Sequence, residues 1–511
     1  MNRSGEVARI GGMMKGVILA TLVVIHCAGP SMGAEQPQWG QWQSRNMVSG
    51  ETNLPERFDP NTGENIKWSV PLGTQTNSSP VIAGGRVLIG TNNGRPRDPR
   101  HAGDRGILLC LDEEDGHLHW QLTVPKLQEH RLSDWPNTGI CSPATVEDER
   151  VYLVNNRGEV MCLDLLGQHN GNDGPFRDEG RHMTPPPASP LPVTMTDADI
   201  LWIFDIRKEL GVHQHDAAHC SVLVDGPLLY VSTSNGVSDN HRSIVARDAP
   251  SLIVLEKQTG RLVARDNEHM APGTIHCTWS SPALGTINNR NLVFFGGGDA
   301  VCYAFAIPPV EPAGKTRILK HVWRFDCDPG APKEDVIRFQ DNRRVGPSTI
   351  TGMPVVVDNR VYITAGGDFW HGKPRCWLKC IDARGRGDIT KNAERWSYPL
   401  ERHCMSTPSV TEDLIFIGDC GRILHCIDTK TGKAHWTHRT RGEIWASTLV
   451  ADGKVHVGSR GGDFLVLAAT REKKVLSQVN LEPVHSTPTA ANGVLYVATM
   501  ERLYAISKAN Q

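Results

Sequence analysis

The stretch that decides the fold is residues 406–436, STPSVTEDLIFIGDCGRILHCIDTKTGKAHW. It contains four short runs, labelled A to D in order, and turn residues separate them. Short apolar runs bounded by Gly, Pro, Asp and Ser are typical of β-strands. The segment Thr431-Gly432-Lys433 supplies a tight turn with glycine at the strained position. A four-stranded unit of about 40–50 residues is the size of one β-propeller blade.

Related copies recur along the whole chain. They open at Ser78, Ser142, Cys220, Ser281, Met353, Ser406, Ser447 and Ser486. A tryptophan occupies the same point of strand D in six blades, and we expect it to fill the space between neighbouring blades. These residues are Trp68, Trp120, Trp202, Trp323, Trp396 and Trp436. Ala264 occupies this point in blade three, and blade seven is degenerate there. The repeat predicts an all-β, eight-bladed propeller of four-stranded antiparallel blades.

The last copy ends before its D strand, and the missing piece is found at the other end of the chain. Residues 61–68, NTGENIKW, form a D strand with no A, B or C strand before it. Pairing it with the last blade would close the ring and remove two sheet edges. We therefore predict that an N-terminal strand completes the last blade and that residues 35–511 form one propeller domain.

The beginning of the sequence has the pattern of a secretory signal. Lys15 precedes an apolar run over residues 17–25, and small residues follow it up to Ala34. This run is too short to span a bilayer, which needs about 20 residues. We predict a signal peptide over residues 1–34, with Cys27 leaving lipidation as an alternative. The net charge of −2 disfavours nucleic-acid binding. We expect an exported, periplasmic or cell-envelope monomer without a transmembrane segment.

The repeat resembles the pyrroloquinoline-quinone (PQQ)-like propeller family. Residues 428–436 resemble the tryptophan-docking motif of that family, and residues 219–253 resemble its exported, PQQ-binding-like members. One branch of the family comprises quinoprotein alcohol and sugar dehydrogenases, which hold PQQ and calcium on the propeller axis. Another branch comprises the outer-membrane assembly scaffold lipoprotein and its relatives, which bind no quinone. The resemblance is specific for the fold and weak for function.

The residues that would carry dehydrogenase chemistry are only partly present. Asn235 resembles the axial asparagine ligand of calcium, and the resemblance implies that Trp279 and Trp445 could contact a quinone. A turn residue with positive φ is the alternative interpretation of Asn235. The sequence His276-Cys277 stands where the catalytic aspartate would be expected, and no two cysteines are adjacent. These departures weaken the enzyme hypothesis.

Histidine and cysteine pairs precede strand A in three blades. They are His219-Cys220, His276-Cys277 and His403-Cys404. His485 holds a comparable place in blade eight, and His213 and His215 lie on a loop leading into the ring. Imidazole and thiolate ligands suit zinc or copper. The sequence therefore offers a transition-metal site at one channel mouth, with a solvated polar channel as the alternative.

Two functional hypotheses follow. The first is a non-catalytic propeller that binds a small molecule or an envelope protein on its face. The second is a PQQ- and calcium-dependent oxidoreductase. The missing aspartate and the missing adjacent cysteines favour the first, whereas Asn235 keeps the second open.

Overall fold

The structure is a computed structural model that describes residues 34–128, 132–184, 186–310 and 314–508. All of them belong to one compact unit, Gly33–Gln511. The predicted signal peptide, apart from Ala34, lies outside the described residues. Among the described helices, none is long and apolar enough to cross a membrane.

Eight separate sheets form the eight predicted blades. Blade one contains β2 (Val81–Ala83), β3 (Arg86–Asn92), β4 (Arg105–Asp112) and β5 (Leu118–Pro125). Blade two contains β6 (Thr145–Glu147), β7 (Arg150–Val154), β8 (Glu159–Asp164) and β9 (Ile200–Asp205). Blade three contains β10 (Leu223–Asp225), β11 (Leu228–Ser232), β12 (Leu252–Glu256), β13 (Leu262–Arg265) and the added β17 (Arg317–Ile318). Blade four contains β14 (Ala283–Ile287), β15 (Arg290–Gly296), β16 (Val301–Ala306), β18 (His321–Asp326) and the added β22 (Gly387–Asp388).

The other four blades keep the predicted four strands. Blade five contains β19 (Val355–Val357), β20 (Arg360–Gly366), β21 (Cys376–Asp382) and β23 (Glu394–Leu400). Blade six contains β24 (Ser409–Val410), β25 (Leu414–Gly418), β26 (Ile423–Asp428) and β27 (Ala434–Arg439). Blade seven contains β28 (Leu449–Ala451), β29 (Lys454–Gly458), β30 (Asp463–Ala468) and β31 (Val475–Asn480). Blade eight contains β32 (Thr489–Ala491), β33 (Val494–Ala498), β34 (Arg502–Ile506) and β1 (Ile66–Pro71).

The predicted ring closure is confirmed. The N-terminal strand β1 pairs antiparallel with β34, so that Trp68 lies opposite Ala505 and Val70 opposite Leu503. Helices are short and lie in connections between strands. They are α1 (Glu179–His182), α2 (Ile206–Leu210) and 3-10 turns at Gly167–Asn170, Ala271–Gly273 and Val336–Phe339.

Each of the six recurring tryptophans docks onto the following blade. The indole Nε1 donates a hydrogen bond of 2.8–3.2 Å to a backbone carbonyl in that blade. Trp396, for example, donates to the carbonyl of Thr429, and the face of its ring lies against Gly432. The indole thus buries a large apolar surface while its polar N–H keeps a partner, as buried tryptophans require.

The two blades without this tryptophan are joined by other means. In blade three, Ala264 pairs with Arg317 of the added strand β17, which comes from the next blade. In blade seven, Ser477 lies where the tryptophan would be, opposite Val466. Phe58 of the N-terminal segment packs against Phe464 at this junction, with ring centroids 5.7 Å apart. Blades three and seven therefore keep contact with the following blade although they lack the docking tryptophan.

The close packing of Gly432 on Trp396 predicts that a larger residue at position 432 would destabilise the fold. Gly432 has φ +67°, and a Cβ there would lie 2.6 Å from the indole ring. Gly432→Ala should lower the free energy of unfolding by about 2–4 kcal/mol, because backbone strain and a steric clash combine. Gly453 has the same φ with open space around it. Gly453→Ala should cost only about 1–2 kcal/mol. Denaturant unfolding of both variants tests this, and equal losses would contradict the docking role.

Residues 34–47 form a segment that the sequence analysis did not predict. Residues 34–47 run along the inner A strands and contact all eight blades. The contacts, one per blade, are Gln36 with Ile82, Pro37 with Val146, Arg45 with Ser221, Gln43 with Leu284, Ser44 with Val356, Asn46 with Val410, Met47 with Val450, and Ala34 with Asn492. We call residues 34–47 the plug.

An antiparallel meander leaves the D–A and B–C connections on one face of the ring, where the candidate site lies.

Candidate functional site

Three connections on one face of the propeller are joined by short β-bridges. Gln214 of the blade two-to-three connection pairs with Asn235, and Gly236 pairs with Cys277 of the next connection. The B–C loop of blade three, which contains Asn235, is thereby held between the two D–A connections. This pairing brings His215, on the first connection, close to His276, on the second.

Three histidines converge at this point. The Nε2 atoms of His215 and His241 lie 2.9 Å apart, and His241 belongs to the long B–C loop of blade three. One ring nitrogen from each of His215, His241 and His276 lies within 4.8 Å of the other two. His215 is completely buried, and its Nδ1 has no hydrogen-bond partner among the described residues. We call these three residues the histidine cluster.

Two aspartates flank the His276 ring. Its Nδ1 lies 3.1 Å from Oδ2 of Asp368, and its Nε2 lies 3.2 Å from Oδ2 of Asp216. The other oxygen of Asp368 accepts hydrogen bonds from the backbone N–H groups of Trp370 and His371, which fixes the carboxylate. A carboxylate on one nitrogen of a histidine is the arrangement that orients metal-binding imidazoles.

Burial and charge set different pKa values for the clustered imidazoles. Burial lowers the pKa of His215 to about 3, so this imidazole is neutral with a free lone pair. Burial would also lower the pKa of His276, but Asp368 and Asp216 together raise it to about 9. Burial would raise the pKa of Asp368, yet His276 holds it at about 2. Without a metal, His276 is therefore a cation between two ionised carboxylates, beside the neutral imidazole of His215.

An aromatic wall extends from the histidine cluster along the same face. Trp279 contacts the His276 ring at a centroid distance of 4.8 Å, and Trp370 contacts it at 5.3 Å. Trp445 continues the wall, 5.7 Å from Trp370. The Arg460 guanidinium lies 4.0 Å from the centre of the Trp445 ring. The wall can stack against a planar or apolar molecule.

Of the predicted metal-binding histidines, the structure places only His276 in the cluster. His219 packs against Trp39 of the plug, with ring centroids 5.7 Å apart. His403 contacts Phe369. His485 contacts Trp445 and lies within hydrogen-bond distance of Asn77 and Arg460. These three histidines lie outside the cluster.

The predicted cysteine ligands point away from the histidines because neighbouring side chains of an extended segment alternate in direction. The thiols of Cys220, Cys277 and Cys404 are buried and donate to backbone carbonyls. Burial raises the pKa of Cys220 to about 11 and that of Cys404 to about 12, and the pKa of Cys277 also rises. Every cysteine in the described residues is a free thiol.

The Asn235 side chain forms hydrogen bonds with the backbone of two loop segments. Its Oδ1 accepts from the backbone N–H of His213 at 3.1 Å, and its Nδ2 donates to the carbonyl of Ala246 at 3.0 Å. The positive φ of 55° belongs to its neighbour Ser234 and not to Asn235. The other two predicted quinone contacts, Trp279 and Trp445, both lie in the aromatic wall.

Sequence reasoning missed His241, Asp216, Asp368 and Trp370. His241 falls in a charged loop with no repeat signature, and Asp368 and Trp370 lie in the B–C loop of blade five. Their common feature is position, because all lie on D–A or B–C connections. Aligning the blades and comparing only these connections would have found them.

Comparison with known proteins connects this fold to a family. The family described as outer membrane protein assembly factor BamB matches residues 50–172. BamB from Moraxella catarrhalis superposes with a TM-score of 0.50 at 13% identity, covering 87% of this chain and 97% of that one. Residues 50–172 thus carry repeats similar to those of this family, and the likeness over the whole chain is one of fold. Quinohemoprotein alcohol dehydrogenase from Comamonas testosteroni superposes with a TM-score of 0.57 at 12% identity, covering 94% of this chain and 81% of that one.

The same enzyme provides a short sequence match. Over 100 residues the identity is 32%, and the match spans 17% of this chain and 14% of the enzyme. The structural likenesses, at 12–13% identity, are likenesses of fold. The function therefore has to be inferred from the residues of the histidine cluster and the aromatic wall.

The site does not match the calcium and quinone set that the resemblance implies. Calcium needs six to eight oxygen ligands, whereas the histidine cluster presents imidazole nitrogens. Both polar atoms of the Asn235 amide are bound to backbone. No pair of adjacent cysteines exists to cover a quinone. The donor set suits a transition metal.

Proposed function

We propose that this protein is an exported, ligand-binding PQQ-like propeller of the cell envelope that holds one zinc or copper ion in its histidine cluster. The observation that carries the proposal is the convergence of one ring nitrogen from each of His215, His241 and His276 within 4.8 Å. Ligand atoms of a tetrahedral zinc ion at about 2.0–2.1 Å from the metal lie about 3.3 Å apart. Small side-chain rotations would bring the three nitrogens to that spacing.

The carboxylates of Asp368 and Asp216 lie where they would assist metal binding. Asp368 would keep the His276 ring in place through Nδ1, and a metal ion would take the place of the proton that Nε2 shares with Asp216. Asp216 approaches His276 at 3.2 Å and His215 at 3.4 Å, so it could provide an oxygen ligand or bind a metal-bound water. A set of three histidines with room for one further ligand is typical of zinc sites that bind a small molecule.

The aromatic wall indicates what the ligand would be. Trp279 and Trp370 contact the ring of His276, so a molecule bound to the ion would lie beside their faces. Planar molecules with an anionic donor group satisfy both the metal and the wall. We infer that the protein binds such a molecule without transforming it.

Metal titration tests this function. The mature chain, residues 35–511, should bind one zinc ion per chain after chelator treatment, as followed by calorimetry. His276→Gln and His241→Gln should each weaken zinc binding by at least about 100-fold, because each removes one of three imidazole ligands. The control is His485→Gln, which changes a histidine on the same face outside the cluster. Equal zinc affinity in all four proteins would contradict the proposal.

The oxidoreductase hypothesis predicts a different response. PQQ with calcium would raise the melting temperature of the wild-type chain in a saturable way, since a ligand of the folded state stabilises it by mass action. Asn235→Ala would abolish that rise. We expect no saturable rise with PQQ and calcium, and a rise with zinc.

A further inference from the structure

The C–D connection of blade two carries a second group of charged residues. In blade six, five residues separate strands C and D, whereas in blade two residues 165–199 separate β8 from β9. One carboxylate oxygen from each of Asp164, Asp173 and Asp199 lies within 4.8 Å of the other two. We call these three residues the carboxylate cluster.

Burial makes the carboxylate cluster unusual. Asp199 is 0% exposed and Asp164 is 8% exposed, whereas Asp173 is exposed. Burial raises the pKa of Asp199 to about 6, and the charge of Glu179, itself 1% exposed, adds to this rise. One oxygen of Asp199, Oδ1, has no hydrogen-bond partner among the described residues, and the same is true of Oε1 of Glu179. A buried acceptor without a partner costs about 1–3 kcal/mol, and more when it is charged.

No ion pair offsets this negative charge in the described part of the chain, where no lysine, arginine or histidine pairs with Asp164, Asp173, Asp199 or Glu179. Arg177 of the same loop donates instead to the amide oxygen of Asn172 and to the backbone carbonyls of Asp173 and Phe176. Buried charges are normally paired or bound to metal ions.

The loop holds the acids together through its amides. The Asn170 Nδ2 atom donates to Asp164 and Asp173. The backbone N–H of Asp173 donates to Oδ2 of Asp199, which leaves Oδ1 as the oxygen without a partner. The acids are therefore brought close by a structured loop, although their charges repel one another.

We propose that the carboxylate cluster binds a calcium ion. Calcium prefers carboxylate and carbonyl oxygens in flexible, irregular arrangements, and Asp164, Asp173 and Asp199 offer only oxygen. The proposal is independent of the histidine cluster, which lies on the opposite face and offers nitrogen. In this location calcium would fix the blade two loop.

Calcium-dependent melting of two matched variants tests the site. In chelator, Asp199→Asn should melt at or above the temperature of the wild-type chain, because one repelling charge is gone. In about 10 mM calcium, which exceeds the dissociation constants of about 0.1–1 mM of extracellular calcium sites, the wild-type chain should melt at a higher temperature and Asp199→Asn should not respond. By calorimetry Asp199→Asn should bind calcium at least about 10-fold more weakly.

Asp178→Asn is the control, since Asp178 is an exposed acid in the same loop and lies outside the cluster. It should keep the wild-type calcium response. An unchanged melting temperature of the wild-type chain in calcium, or an equal rise in Asp199→Asn, would overturn the proposal. Zinc added to the same proteins should act regardless of Asp199, which separates this test from that of the histidine cluster.

Discussion

A chain that begins at Gly73 is expected to lose its cooperative thermal transition. It lacks β1, whose five paired positions complete blade eight, and it lacks Trp68, which packs between blades eight and one. Loss of one buried tryptophan side chain costs about 3–5 kcal/mol. Loss of the whole strand and the plug should exceed the 5–15 kcal/mol that typically separates folded from unfolded domains. Circular dichroism during heating would measure the result.

A circular permutant provides the control for this truncation. In it, residues 34–72 follow Gln511 through a flexible Gly/Ser linker, and the chain begins at Gly73. Every noncovalent contact of β1 and of the plug can then form again, so cooperative melting should return near the temperature of the parent protein. A truncated chain that melts like the parent would show that strand closure does not stabilise the ring.

Substitution of Arg45 is expected to have the next largest effect. This arginine of the plug is completely buried and donates hydrogen bonds to the carbonyls of Trp39, Pro282 and Ser221 and to the Ser221 hydroxyl. Burial lowers its pKa to about 10, so it remains a cation near neutral pH. Arg45→Ala should lower the free energy of unfolding by about 3–5 kcal/mol, because several buried acceptors lose their donor together.

Arg57→Ala is the matched control for Arg45→Ala. Arg57 belongs to the same N-terminal region, but its side chain is 76% exposed and its partner Glu64 is also exposed. Exposed ion pairs contribute about 0–1 kcal/mol, so this variant should unfold with nearly the free energy of the parent. If denaturant titration gave equal losses for both variants, Arg45 would not be a central contact of the plug.

The fold was predictable because its determinants are local and repeated. The turn at Gly432, the small residues before strand A and the docking tryptophans recur in one order, and the leftover strand at residues 61–68 matched the one missing strand. The plug was not predictable, since residues 34–47 carry no repeat. Only the assembled ring shows that Arg45 fits between blades three and four.

The site was predictable only in part. His276 was singled out from the sequence, and His215 was noticed on the adjoining loop, because both precede strand A of a blade. His241 and Asp368 lie on B–C loops of blades three and five, and their approach depends on the curvature of the ring. Cys277 was expected beside His276, but the alternation of an extended segment turns its thiol toward the carbonyl of Ser234.

X-ray absorption at the zinc edge, on protein loaded with one equivalent of zinc, tests the central claim most directly. The histidine cluster predicts imidazole scattering from three nitrogens at about 2.0–2.1 Å, and His276→Gln should reduce the number of imidazole ligands. Zinc coordinated by oxygen alone, or a spectrum unchanged by His276→Gln, would contradict the assignment of the metal to His215, His241 and His276.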